Sequence, residues 1–254
     1  MNRTSPAVIT LLVANIAVFA AGLLLPNGNE RIIDTSALWF PNNPHFGWWQ
    51  VGSYMFLHGS FGHILFNMFA LVSFGVILER EWGAARFLIF YFACGIGAGL
   101  IQLGVNWYEF TKLHEHLLAT VITSVDLAQI LATGSGQIPA DPALKAKVVE
   151  LYGLYHAPTV GASGAVYGLL VAFGCLHPNA KLSLMFIPVP IAAKIFIPIV
   201  IALDLLSGVT GFSLFGGGIA HFAHVGGALI GFLLMLLLRH RRQIIAETLP
   251  SRES

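Results

Sequence analysis

Two residues of this chain are best placed to do chemistry together. Ser163 lies in Gly161-Ala162-Ser163-Gly164, at the head of an apolar run. His224 lies in Ala223-His224-Val225-Gly226-Gly227, at the head of another. Polar and titratable side chains are costly inside segments apolar enough to enter lipid, and they generally serve a function there. A hydroxyl beside an imidazole suits acyl transfer: the ring takes the proton as the oxygen attacks a carbonyl. His63 and Asn67 are four residues apart, so they share one helix face, and both carry N–H donors. Such donors suit the negative oxygen that develops during the attack. The backbone N–H of Ser163, near a helix start, adds a third.

The elements that must position these residues follow from composition. The chain has 254 residues, 56% hydrophobic and 10% charged, with a mean hydropathy of +0.78. Soluble domains carry roughly 25% charged residues. The expected class is therefore an all-α polytopic membrane protein in a single domain spanning residues 1–254. A net charge of +1 without a basic stripe gives no footprint for nucleic acid. Cys94 and Cys175 lie in apolar runs and read as small buried hydrophobes.

Six runs approach the ~20 residues needed to cross hydrocarbon: Ala7–Leu25, Val51–Leu78 (entered near Leu57), Ala84–Leu103, Val160–Leu176, Ile191–Val209 and Ile219–Leu238. The first lacks a clear cleavage site before Pro26 and is expected to remain as a span. With six spans, the termini share a side with Arg3, Arg80, Arg86, Lys181, Lys194, Arg239, Arg241, Arg242 and Arg252. The other side has Arg31, Lys112, Lys145 and Lys147. This bias predicts cytoplasmic termini, with residues 239–254 as a cytoplasmic tail.

In that topology the second, fourth and sixth spans run the same way. His63, Asn67, Ser163 and His224 then fall within roughly 5–12 Å of the outer boundary, at about 1.5 Å per residue. Gly161, Gly164 and Gly227 allow close backbone approach, and Gly226, Gly227 and Gly231 form a small-residue face. Tyr167, one turn beyond Ser163, is expected to pack on the His224 ring. The competing reading of a serine in a membrane helix is a bond to its own backbone. His221 competes with His224 as the base, but it lies nearer the loop and has no small-residue face following it. Asp204, costly in the fifth span, is either a third member that orients His224 or a water-facing or helix-end acid. Ala165 stands where a Gly-x-Ser-x-Gly elbow would need its last glycine.

The segment Gly104–Thr159 is a long outer insertion. Asp141-Pro142 predicts a helix start, with Leu144, Val148, Leu151 and Tyr155 on one face. Leu113–Ala132 reads as a helix lying in the outer interface, since a seventh span would place the arginine-rich end outside.

Three motifs carry a family resemblance. The segment from His58 to Asn67 is close to a His…His-x-x-x-Asn pattern, Gly161-Ala162-Ser163-Gly164 with Tyr167 looks like a nucleophile motif, and Ala223-His224-Val225-Gly226-Gly227 is similar to Ala-His-x-x-Gly. Gly75, Glu79 and Gly83 resemble the turn after the second span. Together they resemble the rhomboid family of intramembrane serine proteases, from about Trp48 to Leu238 without the insertion. Two departures stand out. Ile219 occupies the position of a family glycine, and the Trp-Arg feature of the first loop is absent.

The resemblance implies a six-helix rhomboid-like bundle with a water-filled cavity on the outer side. It implies a Ser163–His224 dyad without an acidic third member. His63, Asn67 and the Ser163 N–H would form the oxyanion hole, and His58 would have a structural role. The expected activity is endoproteolysis of transmembrane or juxtamembrane segments through an acyl-enzyme. Partners are transmembrane substrates and the lipid bilayer, and no cofactor or metal is expected. The expected setting is a bacterial inner membrane. The alternatives are a non-proteolytic rhomboid-like chaperone or quality-control binder, from which the serine or histidine is generally missing, and a transporter, for which no internal repeat is seen.

Overall fold

Apolar runs separated by glycine, proline and polar residues give helices throughout the computed structural model. It describes residues 4–120, 122–138, 140–184, 187–211 and 220–248. The first helix, α1 (Pro6–Leu24), opens with proline at its first turn, where a missing N–H costs little. A long polar connection follows, holding α2 (Gly28–Ser36) and the single turn α3 (Gln50–Ser53). Next comes α4 (Phe61–Trp82), whose Ser60 side chain accepts the His63 N–H as an N-cap. It ends at Gly83, whose φ of 80° suits a residue without a Cβ.

After Gly83, α5 (Ala84–Leu118) runs for 35 residues. This corrects the expected end at Leu103: the helix continues through Gly104 and into the insertion. Gln102 Nε2 donates to Asn106 Oδ1 at 2.7 Å, an i,i+4 pair that supports the helix across the polar stretch. The insertion then holds α6 (Ser124–Thr133) and α7 (Pro142–His156). The expected start of α7 is found, with Asp141 Oδ1 accepting from Ala143 and Leu144 at 2.8 and 2.9 Å. Leu117, Ile122, Leu127, Ile130, Val148 and Leu151 form a separate small core among these three helices.

The expected fourth span is realised as α8 (Ser163–Leu176), of only 14 residues. At about 1.5 Å per residue it is roughly 21 Å long, short of a ~30 Å hydrocarbon layer. A hairpin of β1 (Lys181–Leu184) and β2 (Ile187–Ala192) follows, where only a loop and the start of a span were expected. Then come α9 (Ala193–Thr210) and α10 (His221–Thr248). Ile219, and the side chains of Arg241, Arg242 and Arg252 in the expected anchor and tail, lie outside the described residues.

Among the described residues, α1, α4, α5, α9 and α10 are long and apolar enough to cross a membrane. The count of six expected from sequence thus becomes five such helices and the shorter α8. Large apolar side chains on the outer faces are exposed: Ile9 and Val13 on α1, Phe69 and Val72 on α4, Leu233 and Leu236 on α10. Contiguous faces of this kind belong in lipid. The core lies inward, where α8 packs among α4, α5, α9 and α10. Leu71, Leu78, Phe87, Tyr91, Cys94, Ala165 and Leu169 are fully buried there. Cys94 is buried as expected, whereas Cys175 is exposed.

Glu79 ties α1 to α4. Ser5 gives α1 no side-chain cap. The Ala7 and Val8 N–H groups donate instead to Glu79 Oε1 and Oε2 at 3.0 and 2.8 Å. A buried carboxylate here satisfies two first-turn donors and complements the helix dipole.

Candidate active site

Ser163 is positioned by the chain that leads into α8. Leu38 and Thr159 exchange two backbone hydrogen bonds of 2.9 Å, and the Gly161 N–H donates to the Tyr54 carbonyl at 2.9 Å. Gly161 then takes a φ of 125°, open only to glycine without strain. A Cβ there would also lie 2.7 Å from His63 Nε2, so the missing side chain makes room for that ring. Two residues later Ser163 is the first residue of α8, so its own N–H has no acceptor within the helix.

His224 is positioned from the other side. In α5, the buried Gln102 accepts the Ala223 N–H at 2.9 Å and so caps the first turn of α10. Glycines then bring α10 against α8. A Cβ at Gly227 would run into the Gly164 carbonyl group, and one at Gly231 would lie 2.8 Å from Gly168 Cα. With the backbones this close, His224 Nε2 reaches Ser163 Oγ at 2.8 Å. Tyr167 stacks on the His224 ring, with centroids 4.4 Å apart and planes 12° from parallel.

The donors lie on the third side. His63 and Asn67 share a face of α4. The His63 Nδ1 atom accepts from the Gly59 N–H at 3.4 Å, which leaves the ring proton of the neutral form on Nε2, beside Gly161. Asn67 is buried, and one hydrogen of its amide nitrogen goes to the His63 carbonyl at 2.9 Å. Among the described residues, no other hydrogen bond from that nitrogen is found. His58 is buried edge-on to His63, with centroids 4.9 Å apart and planes at 70°. Ser163, His224, His63, Tyr167, Gly161, Gly164 and Gly227 are thus brought together, with His58 behind His63 and Asn67 one turn along α4.

Asp204 departs from the expectation that set it apart. Its carboxylate lies between α9 and α10. Oδ1 receives His224 Nδ1 at 3.1 Å and His221 Nδ1 at 2.6 Å, and Oδ2 accepts the Tyr167 hydroxyl. His221 shares the acid with His224, and it is His224 that bonds to Ser163. The nitrogen and oxygen atoms of Asp204, His221 and His224 lie within 4.8 Å of one another. Hydrogen bonds account for that closeness, and we read the three as a hydrogen-bonded cluster and not as metal ligands. Sequence reasoning weighed Asp204 as a third member orienting His224, but it missed the sharing of that acid with His221 and Tyr167, and it missed Gln102. The one visible signal was the cost of an acid or an amide inside an apolar run.

Comparison with known proteins bears on the family of the chain. The rhomboid domain family model matches residues 45–241. The mitochondrial Rhomboid protein 1 of Saccharomyces cerevisiae is 29% identical over 178 residues, covering 70% of this chain and 38% of that protein. Rhomboid protease AarA of Providencia stuartii is 24% identical over 256 residues, covering 93% of this chain and 74% of that protein. The mitochondrial RHOMBOID-like protein 12 of Arabidopsis thaliana is 29% identical over 188 residues, 74% of this chain and 45% of that protein. The chain thus spans less than half the length of these two mitochondrial relatives. The apolar helices and the family model together show an integral membrane protein. With mitochondrial proteins among these relatives, the expected bacterial inner membrane is not supported.

Proposed function

The chain belongs to the rhomboid family, and we propose that it is an intramembrane serine endopeptidase acting through Ser163 and His224. The observation that carries this reading is the 2.8 Å approach of His224 Nε2 to Ser163 Oγ, at the starts of two apolar helices. Ser163 Oγ attacks a peptide carbonyl as His224 Nε2 takes its proton. The carbonyl oxygen gains negative charge, which the Ser163 N–H, His63 Nε2–H and the spare Asn67 amide hydrogen stabilise. His224 then protonates the leaving amine, and the acyl-enzyme is hydrolysed by water that His224 activates.

Substrates on this reading are transmembrane or juxtamembrane segments. A carbonyl inside a helix already accepts a hydrogen bond, so the segment must unwind before attack. Residues that weaken helices, glycine and proline above all, favour cleavage at that point. The shortness of α8 fits the need for water: a ~21 Å helix leaves an end inside a ~30 Å layer, and with Ser163 at that end the hydrolytic water needs a wet recess. The test is cleavage of a fluorogenic transmembrane peptide by the full chain in proteoliposomes. Parent turnover that disappears in Ser163→Ala supports the reading, and equal turnover by the two refutes it.

A further inference from the structure

Asp204 is a buried acid whose two oxygens are both engaged by groups at the active site. It reaches this place from α9, which packs against both α8 and α10. An ionised carboxylate can only accept hydrogen bonds. Each contact therefore fixes a hydrogen on its partner: Nδ1–H on His224 at 3.1 Å, Nδ1–H on His221 at 2.6 Å, and the Tyr167 hydroxyl on Oδ2. A neutral His224 with its hydrogen on Nδ1 has its lone pair on Nε2, the atom 2.8 Å from Ser163 Oγ.

We propose that Asp204 is a positioning residue for His224, extending the Ser163–His224 pair to a Ser–His–Asp chain in which Tyr167 holds the acid and His221 competes with His224 for it. The proposal rests on the protease reading of Ser163 and His224. Asp204 acts in three ways. It selects the tautomer that can accept the Ser163 proton. With the stacked Tyr167 ring it fixes the imidazole plane. Its charge offsets that of the imidazolium formed during attack. Tyr167 thereby joins two elements, its ring on His224 and its hydroxyl on Asp204.

His221 gives the proposal a sign. It shares Oδ1 with His224 and is the nearer of the two, 2.6 Å against 3.1 Å. Replacing it by an apolar residue leaves Oδ1 wholly to His224. A purely structural cluster loses activity when any member is removed. A positioning acid loses activity when the acid is removed, and retains or gains it when the competing donor is removed.

The experiment measures kcat and KM of the full chain on a transmembrane peptide in proteoliposomes, with Ser163→Ala as the inactive reference. Asp204→Asn is expected to lower kcat roughly ten- to a hundredfold, the worth of one charge-assisted hydrogen bond, with KM within about twofold. His221→Leu is expected to keep kcat at the parent value or above. If Ser163→Ala is inactive while Asp204→Asn stays within about threefold of the parent, the proposal is overturned and the protease reading stands. A tenfold or greater fall in His221→Leu, alongside that in Asp204→Asn, also overturns it. If Ser163→Ala turns over like the parent, both fail. Should Asp204→Asn not fold, ¹⁵N-histidine NMR of the parent chain decides. A proton on His224 Nδ1 with Nε2 bare supports the proposal, and the opposite tautomer overturns it.

Discussion

Replacing Gly227 by alanine tests whether close packing of α8 and α10 sets the reacting distance. A Cβ at Gly227 would lie 2.6 Å from the Gly164 carbonyl carbon and 3.0 Å from Gly164 Cα, with the oxygen closer still. The obstacle is backbone, so no side-chain rotation relieves it. Ordinary contact begins at 3.4 Å. Clearing the carbon alone therefore needs 3.4 − 2.6 = 0.8 Å of helix separation, and clearing the oxygen needs more. Gly164 adjoins Ser163, and Gly227 is one turn from His224. Carried to the pair, that movement takes the 2.8 Å contact to about 3.6 Å or beyond, past hydrogen-bond range. Misplacement by about 1 Å costs on the order of a hundredfold in rate, and overpacking costs about 1–3 kcal/mol in stability. Gly231→Ala, 2.8 Å from Gly168 Cα, should do less, because it needs 3.4 − 2.8 = 0.6 Å and lies farther along the helix. Gly104→Ala meets nothing within 4 Å and is the control, neutral or stabilising by about 0.4–1 kcal/mol. The assays are peptide turnover and thermal unfolding of the same preparations. Gly227→Ala with the turnover and unfolding temperature of the Gly104→Ala control would refute the reasoning.

Three further outcomes follow from other contacts. Asn67→Ala removes an amide donor from the proposed oxyanion site and should lower kcat by roughly 10²–10³ with little change in KM, as read from steady-state cleavage. Glu79→Ala leaves the Ala7 and Val8 N–H groups unpaired in a buried place. It should destabilise the fold by about 2–3 kcal/mol, measured by thermal unfolding in detergent, while the protein that remains folded keeps its turnover. Asp141→Ala removes the cap of α7 and should cost about 1 kcal/mol, confined to the insertion. Faster amide hydrogen exchange in α7 with unchanged cleavage is the expected signature.

Much of this arrangement was legible in the sequence, for identifiable reasons. Ser163, His63 and His224 lie in the first turns of apolar runs, so counting residues from the run edges put them at similar depth. Glycines at Gly161, Gly164 and Gly227 marked where backbones come close. Asp204 was visible as an anomaly with His224 as one possible partner, but its contacts with His221 and Tyr167 were not. The angle between α9 and α10 depends on packing and not on any spacing along the chain, and eight residues (212–219) lie between the described parts of the connection. The reach of α5 to Leu118 was missed because the expected span closes at Leu103 and the insertion reads as starting at Gly104. In the structure Gln102 pairs with Asn106 and caps α10. The brevity of α8 was hidden because Val160–Ala162 are apolar enough to lengthen the run, though Gly161 breaks the helix geometry there. In the first connection, α2 is amphipathic but only nine residues long and polar on average, so no apolar run marked it as a helix.

The central claim is that Ser163 is a nucleophile activated by His224. It is tested most directly by reacting the full chain in detergent micelles with a fluorophosphonate probe and locating the adduct by mass spectrometry. The expected result is a single adduct on Ser163 in the parent, none in Ser163→Ala, and labelling slowed by at least about a hundredfold in His224→Ala. Parent protein that stays unlabelled, or that labels equally well with His224 removed, contradicts it.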